Sequence, residues 1–327
     1  MKGRRVVVYG DIVADRFIYG MPKRISREAP VLILRQYRDD ILLGGGGNAI
    51  NNVRSLGGVP APVSVVGRDA ESDRLLTRLH DQGIDCSSIL RIDRYHTPTK
   101  TRVLGGMPHA SRQQIVRFDL EDSVDLATSE IDALSSLLRT RIAGNDGAIV
   151  SDYGYGVVLP TLVADLIRSA DRKPVNLDSR HALLDYPGVT AATPNEEEAA
   201  AVSGIDLSTG PDEIESLRSA ATTIQKSLRA TALLITRGSR GMALFERDQE
   251  QPTLIPVHGT DQVADVTGAG DTVIAAFTLA LAAGATFIDA ARIANYAASV
   301  VVMKMGTATV SSEELRHTIE RDESLPD

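Results

Sequence analysis

The sequence is poor in the residues that build covalent or metal frameworks. Cys86 is the single cysteine, tryptophan is absent, and aromatic residues make up 4% of the 327 positions. One cysteine excludes an internal disulfide and any cysteine-built zinc site. Basic residues are not in excess either: 35 Lys and Arg stand against 43 Asp and Glu, a net charge of −8 with no basic block. That balance argues against a nucleic-acid partner, though an acidic protein can still carry a locally positive pocket. Long apolar runs are missing as well. The longest, Val273 to Ala285, falls short of the roughly 18 residues of a membrane span. The opening MKGRRVVVYGDI has too short an apolar run for a signal peptide and moves straight into a strand. No repeat, low-complexity tract or Pro/Gly/Ser-rich linker divides the chain. The expectation is a soluble, cytoplasmic protein forming one domain over residues 1–327, with no membrane partner.

What is present is an alternation. Apolar strand signals lie at Arg4–Tyr9, Pro62–Val66, Ala148–Val150, Pro174–Leu177, Val189–Ala192 and Leu233–Thr236. Helical patterns lie among them at Asn48–Leu56, Ala70–Gln82, Thr128–Arg141, Pro160–Ala170 and Asp212–Arg229. Thr272–Ala283, Phe287–Met305 and Ser312–Arg321 then read as consecutive helices. Such alternation predicts an α/β fold with a mostly parallel sheet covered on both faces. Two regions break it: Phe17–Tyr37 and Thr97–Asp119 carry strand-like runs (VLILRQY, KTRVL, QQIVRFD) that suit a small separate antiparallel sheet.

The turn DVTGAGDT, Asp265 to Thr272, holds an acid and small residues at a helix start, and no lysine. It is therefore not a Walker A loop, and it lacks the full dinucleotide fingerprint. Helix N-termini expose unpaired N–H groups with partial positive charge, and Gly268, Ala269 and Gly270 let an anion approach those amides closely. Asp271 reads equally as a helix cap or as a base that takes a hydroxyl proton during phosphoryl transfer. In LGGGGNAINN, Asn48 serves as a helix cap after a flexible loop, or as a hydrogen-bonding partner of a polyol admitted by the glycines. Asp11 and Asp15 follow the first strand, where ligands of open α/β sheets bind, and Asp15 suits a turn cap or a sugar hydroxyl. In TPNEEEAA, Asn195 and Glu198 form a capping box or order water around Mg²⁺. Thr236, Gly238 and Gly241 in ITRGSRGMALF mark a strand–turn–strand hairpin that could also run along a nucleotide.

Taken together, GGGGN, TPNEEE, TRGSRG and DVTGAGDT resemble, in order and spacing, the motifs of the ribokinase-like (PfkB) carbohydrate kinases, over essentially the whole chain. The resemblance implies a three-layer sandwich with a small β lid, in segments near 13–42 and 96–120, and transfer of phosphate from ATP with Mg²⁺ to a sugar. It implies Asp271 as base and Gly268, Ala269 and Gly270 as the anion hole. It places Asp15, Gly45, Gly46, Asn48, Lys100 and Asp152 at the sugar, and Asn195, Thr236, Gly238, Gly241 and Asn295 at the nucleotide. Asn195 and Glu198 would hold Mg²⁺ through water. A K⁺ site would lie at Asp265 and Thr267, beside the segment Gly306–Thr309. A homodimer through the lid is expected, with VLIL as an exposed apolar strand.

GDIVADRFIYG, KRISREAPVLIL, RQQIVRFDLE and SDYGYG are similar to a narrower group, the kinases of D-glycero-β-D-manno-heptose 7-phosphate in ADP-heptose synthesis, which act at the anomeric hydroxyl. The narrower resemblance implies a sugar-phosphate acceptor. Enzymes of that group continue into a nucleotidyltransferase domain, and this chain ends at Asp327, so a stand-alone kinase is expected. Tyr155 replaces a usual lysine, and Ser179-Arg180 a usual Pro-Lys. Arg180, Lys100, Arg102 and Arg24 are the candidates to supply the missing charge. Other readings are a PfkB kinase with a different acceptor, a sugar-nucleotide sensor without chemistry, and a dehydrogenase. The intact Asp271 turn opposes the sensor, and the missing G-x-G-x-x-G opposes the dehydrogenase.

Overall fold

The computed structural model of the protein describes residues 1–107, 112–207, 210, 213–258, 265–304 and 306–322. Its strands are β1 (Arg5–Gly10), β2 (Ile12–Ile25), β3 (Leu32–Gly45), β4 (Val59–Gly67), β5 (Ile89–Ile92), β6 (Thr99–Gly105), β7 (Gln113–Leu120), β8 (Gly147–Asp152), β9 (Val175–Ser179), β10 (Ala191–Ala192), β11 (Ala232–Thr236), β12 (Met242–Glu246) and β13 (Thr253–Ile255). Its helices are α1 (Gly46–Ser55), α2 (Ala70–Asp81), α3 (Thr128–Ala143), α4 (Pro160–Ser169), α5 (Glu196–Ser203), α6 (Glu213–Leu228), α7 (Ala269–Ala282), α8 (Phe287–Val301) and α9 (Ser312–Glu320). The expected helices over 212–229 and 287–305 each end on a residue, Asp212 or Met305, outside the described set.

β1 requires cover on both faces, since alternate side chains point to opposite sides of a sheet. Val6 and Val8 join one core with Ile50, Leu75, Phe277 and Ala294; Val7 and Tyr9 join a second with Leu134, Leu162, Leu217 and Ile224. Helices α1, α2, α7 and α8 thus form one layer and α3, α4, α5 and α6 the other. Between them lies a nine-stranded sheet in the order β13-β12-β11-β10-β9-β8-β1-β4-β5. Every pairing from β11 through β5 is parallel, and β12 and β13 close one edge antiparallel. The chain moves from β1 towards β4 and β5, then returns to β8 on the other side. A crevice therefore opens beyond the carboxyl ends of β1 and β8, where ligands of such sheets bind.

The second sheet, β3-β2-β6-β7, is the expected lid. It is antiparallel in β2·β3 and β6·β7, but its central pair, β2·β6, is parallel. The antiparallel expectation is corrected on that point: β2 and β6 both leave the main sheet outward, and hairpin partners flank them. The lid strands also run further than the apolar signal alone, because Ile12–Asp15 and Leu42–Gly45 belong to the ladder. The glycine run is not a loop. Gly44 and Gly45 end β3, while Gly46 and Gly47 make the first turn of α1. Asp11, between β1 and β2, is the corner where the sheets meet. Its carboxylate accepts from the Tyr153 N–H (2.7 Å) and the Val157 N–H (3.2 Å), tying that corner to the loop after β8. Burial lifts this carboxyl to about 6 against those donors.

Candidate active site

A cavity of about 1090 Å³ lies between the two sheets, reaching from Lys100 and Arg117 on the lid, past Asp271, to Asn295 and His258. Asp271 stands in the first turn of α7. The helix begins at Ala269, three residues before the apolar pattern suggested, because Gly268 caps it at φ 79°, a left-handed conformation that favours glycine. A side chain at Gly268 would also meet the Asn48 amide nitrogen at 2.5 Å. The glycine thus allows α1 to approach α7 closely, and across that contact Asn48 Nδ2 donates to Asp271 Oδ2 (2.8 Å). The Tyr153 hydroxyl donates to Asp271 Oδ1 (2.9 Å). The carboxylate is buried, and burial raises it to about 6, opposed by these two donors and by Arg180. A carboxylate in that range accepts a proton readily near neutral pH. On the same turn the Ala269 N–H turns back to Val266 O (3.2 Å), while Gly268 and Gly270 have no such backbone partner among the described residues. The amides of Gly268 and Gly270, beside Asp271, are thus among those on this turn left without a backbone partner.

The expected sugar-side residues divide. Asp15, Gly45 and Lys100 line the cavity. Asp15 is buried and paired with Arg102 (2.6 Å), whose guanidinium lies 5.2 Å from the Phe17 ring centre. Asn48 faces the base, not the open cavity, and its amide oxygen accepts from Asn52 (3.2 Å). Gly46 donates its N–H to Asp11 O (2.8 Å). Asp152 is turned away: its oxygens accept from the Gly154 N–H (2.9 Å), Ser179 (2.7 Å) and Tyr186 (2.8 Å). Those bonds brace the ends of β8 and β9 and leave it among the supporting residues.

Among the described residues, five Lys and Arg line the cavity: Lys100, Arg102, Arg117 and Arg180, and Lys304, which is paired with Glu314. Arg102 and Arg117 are neutralised by Asp15 and Asp119. Lys100 and Arg180 make no ion pair among the described residues; they stand 5.8 and 4.8 Å from the Tyr153 ring centre. Burial, and Arg180 after it, lower the Lys100 amine. Tyr155 is buried with its hydroxyl towards Glu121 (3.4 Å), and Arg180 lines the cavity. Arg24 lies at the exposed outer end of β2.

At the far end, Asn195, Thr236, Gly238, Gly241 and Asn295 all line the cavity. A parallel bridge pairs Asn195 with Thr236. Arg237 and Arg240, in the turn after β11, each pair with both Glu196 and Glu213. This crossed set of four charges fixes the TRGSRG turn against α5 and α6. Asn295 donates to Pro256 O (2.8 Å). Asn195 and Glu198 form a reciprocal capping box (2.8 and 2.9 Å), which occupies Glu198 Oε2. The other oxygen, Oε1, has no such partner among the described residues. Asp178, at the end of β9, also lines the cavity; burial, then Asp271 and Glu198, push its carboxyl well up. No group of three or more His, Cys, Asp or Glu suited to a metal occurs among the described residues. These carboxylates fit a divalent ion that keeps most of its water and relies on substrate phosphates, as Mg²⁺ does.

Asp265 joins the two segments expected at a monovalent cation. Its carboxylate accepts from the Thr267 N–H (2.9 Å) and the Gly306 N–H (2.9 Å). Thr307 Oγ1 beside it is a buried oxygen without a partner among the described residues. Tyr153, Asp178 and Arg117 were not singled out from sequence, although Tyr153 lies in the SDYGYG stretch. Two of them had a usable signal: they stand just past or at the carboxyl ends of β8 and β9, the rule that selected Asp15.

Residues 4–315 match the pfkB family of carbohydrate kinases. The chain is 40% identical over 312 residues to the bifunctional protein HldE of Geobacter sulfurreducens, covering 94% of this chain and 61% of that one. It is 38% identical over 314 residues to HldE of Trichlorobacter lovleyi, covering 95% and 62%. It thus spans less than two thirds of the length of these relatives. The fold is similar to phosphofructokinase-2 of Escherichia coli in complex with potassium (TM-score 0.76, 20% identity, 98% and 99% covered). It is also similar to Arabidopsis thaliana ribokinase complexed with ribose and ATP (TM-score 0.72, 19% identity, 98% and 99% covered). With a family match across nearly its whole length, the chain belongs to the pfkB family of carbohydrate kinases.

Proposed function

We propose that the chain works as one kinase domain that phosphorylates a sugar phosphate, D-glycero-β-D-manno-heptose 7-phosphate, at O1 to give the 1,7-bisphosphate. The observation that carries this reading is a pair of cations at the cavity, Lys100 and Arg180, that make no salt bridge among the described residues. An acceptor phosphate makes charge-assisted hydrogen bonds with both, which a neutral sugar cannot do. The heptose itself rests on the sequence resemblance and on the HldE relatives.

In this reading the acceptor's phosphate lies against Lys100 and Arg180, and Asp15 and the Gly45 backbone hold its hydroxyls. ATP lies along Thr236–Gly241, with the γ-phosphate over Gly268 and Gly270. Asp271 takes the hydroxyl proton as the acceptor oxygen attacks phosphorus and the bond to the ADP oxygen breaks. The Gly268 and Gly270 N–H groups bind the transferring phosphoryl oxygens, and the helix dipole adds to their pull. Mg²⁺, held through water by Glu198 and Asp178, would neutralise phosphate charge. K⁺ at the Asp265 loop would take Thr307 Oγ1 among its oxygen ligands. The lid excludes water while it covers the acceptor. Its outer surface carries exposed Val116, Phe118 and Leu120 on β7, and Ile25, Val31 and Leu32 around the tip of β2 and β3. Apolar surface of that kind marks an interaction site, and a second copy of the lid is the occupant we infer.

Four outcomes are expected. Asp271→Asn lowers kcat by roughly 10²–10⁴-fold while ATP and sugar still bind; turnover within tenfold of wild type removes Asp271 as the base. Since the base works ionised, kcat/KM falls about tenfold per pH unit below about pH 6, and a flat profile down to pH 5 contradicts the assignment. In a panel of heptose 7-phosphate, fructose 6-phosphate and unphosphorylated sugars, the heptose phosphate has the highest kcat/KM, and Arg180→Ala raises its KM roughly tenfold or more; preference for an unphosphorylated sugar overturns the acceptor. Sedimentation at micromolar concentration gives a dimer that Phe118→Asp dissociates, and turnover rises when potassium is added to a buffer free of sodium and potassium. A monomer removes the lid interface, and an unchanged rate removes the ion.

A further inference from the structure

The Tyr153 side chain spans two sites. Its hydroxyl reaches Asp271 Oδ1 at 2.9 Å. Its ring stands against the Arg180 guanidinium, 4.8 Å from the centroid, and the Lys100 ammonium at 5.8 Å. Its place is fixed from behind. The Tyr153 N–H donates to the buried Asp11 carboxylate at 2.7 Å. A side chain at Gly45, which sits at φ 56°, would meet the Tyr153 ring carbon Cδ2 at 3.3 Å. Glycine at that position lets β3 pass close against the ring.

We propose that Tyr153 is a positioning residue: through its hydroxyl it holds Asp271 in place and ionised, and through its ring it seats the two cations that receive the acceptor's anionic group. One rigid side chain would thereby set the distance between the acceptor's charge and the base. The inference rests on the anionic-acceptor reading for its second half only. The hydrogen bond to Asp271 is independent of which sugar is used.

The chemistry divides by atom. A donor to an ionised carboxylate favours the ionised form, so removing the hydroxyl raises the Asp271 pKa and moves the acid limb up. The other groups facing Asp271 are Asn48 on α1, Arg180 and Asp178 from the end of β9, and Asp15 on β2. None of them is altered by removing the tyrosine oxygen. Phenylalanine keeps the ring and its cation–π contacts; leucine loses both.

The test compares Tyr153→Phe with Tyr153→Leu, using whichever sugar phosphate turns over best. For Tyr153→Phe we expect kcat to fall about tenfold, the acceptor KM to stay within about threefold, and the acid limb of kcat/KM to rise by about one pH unit. For Tyr153→Leu the acceptor KM rises about tenfold as well. The second measurement needs no activity and no acceptor. The carboxyl carbon of Asp271, in protein labelled with ¹³C at aspartate and assigned by its loss in Asp271→Asn, is titrated in wild type and in Tyr153→Phe. An upward shift of the midpoint supports the proposal whatever the acceptor proves to be. An unmoved midpoint, or a fall in kcat with an unmoved acid limb, overturns the link to the base. Equal acceptor KM values for the two variants overturn the link to the cations.

Discussion

The structure depends on a carboxylate buried at the start of a helix. Asp271 is buried among α1, the loop after β8 and the end of β9, and burial works against its charge. Two neutral donors and a nearby arginine keep that cost in check, leaving an acid near 6 where a surface aspartate would stay near 4. The same helix start leaves the Gly268 and Gly270 amides without a backbone partner among the described residues. In the proposed mechanism an anion and an anionic base can share so small a space because the positive charge offered to the phosphate belongs to the backbone and cannot form a side-chain salt bridge to the aspartate.

Much of the surrounding structure serves to hold that corner. Gly268 lets Asn48 reach the base, and Gly45 leaves room for the Tyr153 ring. Asp11 pins the loop that carries Tyr153, while Asp152 braces β8 and β9 through Ser179 and Tyr186. The acids nearest the strand ends therefore have different duties. Asp271, Asp178 and Asp15 face the cavity, whereas Asp11 and Asp152 are spent on backbone and hydroxyl partners that fix the walls. The four charges formed by Arg237, Arg240, Glu196 and Glu213 do similar work at the nucleotide end. Arg237 is the buried member, and either glutamate alone still pairs with it.

The elements legible in the sequence were those with strong local signals. The parallel sheet followed from β-branched runs such as VVVY and from amphipathic helices between them. The hairpin at Ile235–Phe245 and the cap at Asn195 were visible from turn chemistry and spacing. β5 and β13 were not, being short strands whose pairing depends on distant neighbours. The parallel β2·β6 pair was hidden for the same reason, since strand direction is set by tertiary connection and not by alternation. At the site, composition and motif picked out Asp271 and its glycines. Motif could not tell that Asn48 faces the base while Asp152 faces the scaffold, because both are polar residues near a strand or helix end and only packing separates them. Tyr153 was overlooked although it stands just past the carboxyl end of β8, because a tyrosine there carries no motif of its own.

In the proposed mechanism backbone amides hold the moving phosphoryl group while Asp271 faces the hydroxyl that attacks it. The most direct measurement is a crystal structure with ADP, a planar aluminium or magnesium fluoride and the sugar phosphate bound together. The fluoride is expected within hydrogen-bonding distance of the Gly268 and Gly270 N–H groups, and the acceptor hydroxyl within hydrogen-bonding distance of an Asp271 carboxylate oxygen. A fluoride bound away from that turn, or an acceptor hydroxyl met by some other side chain, would contradict it.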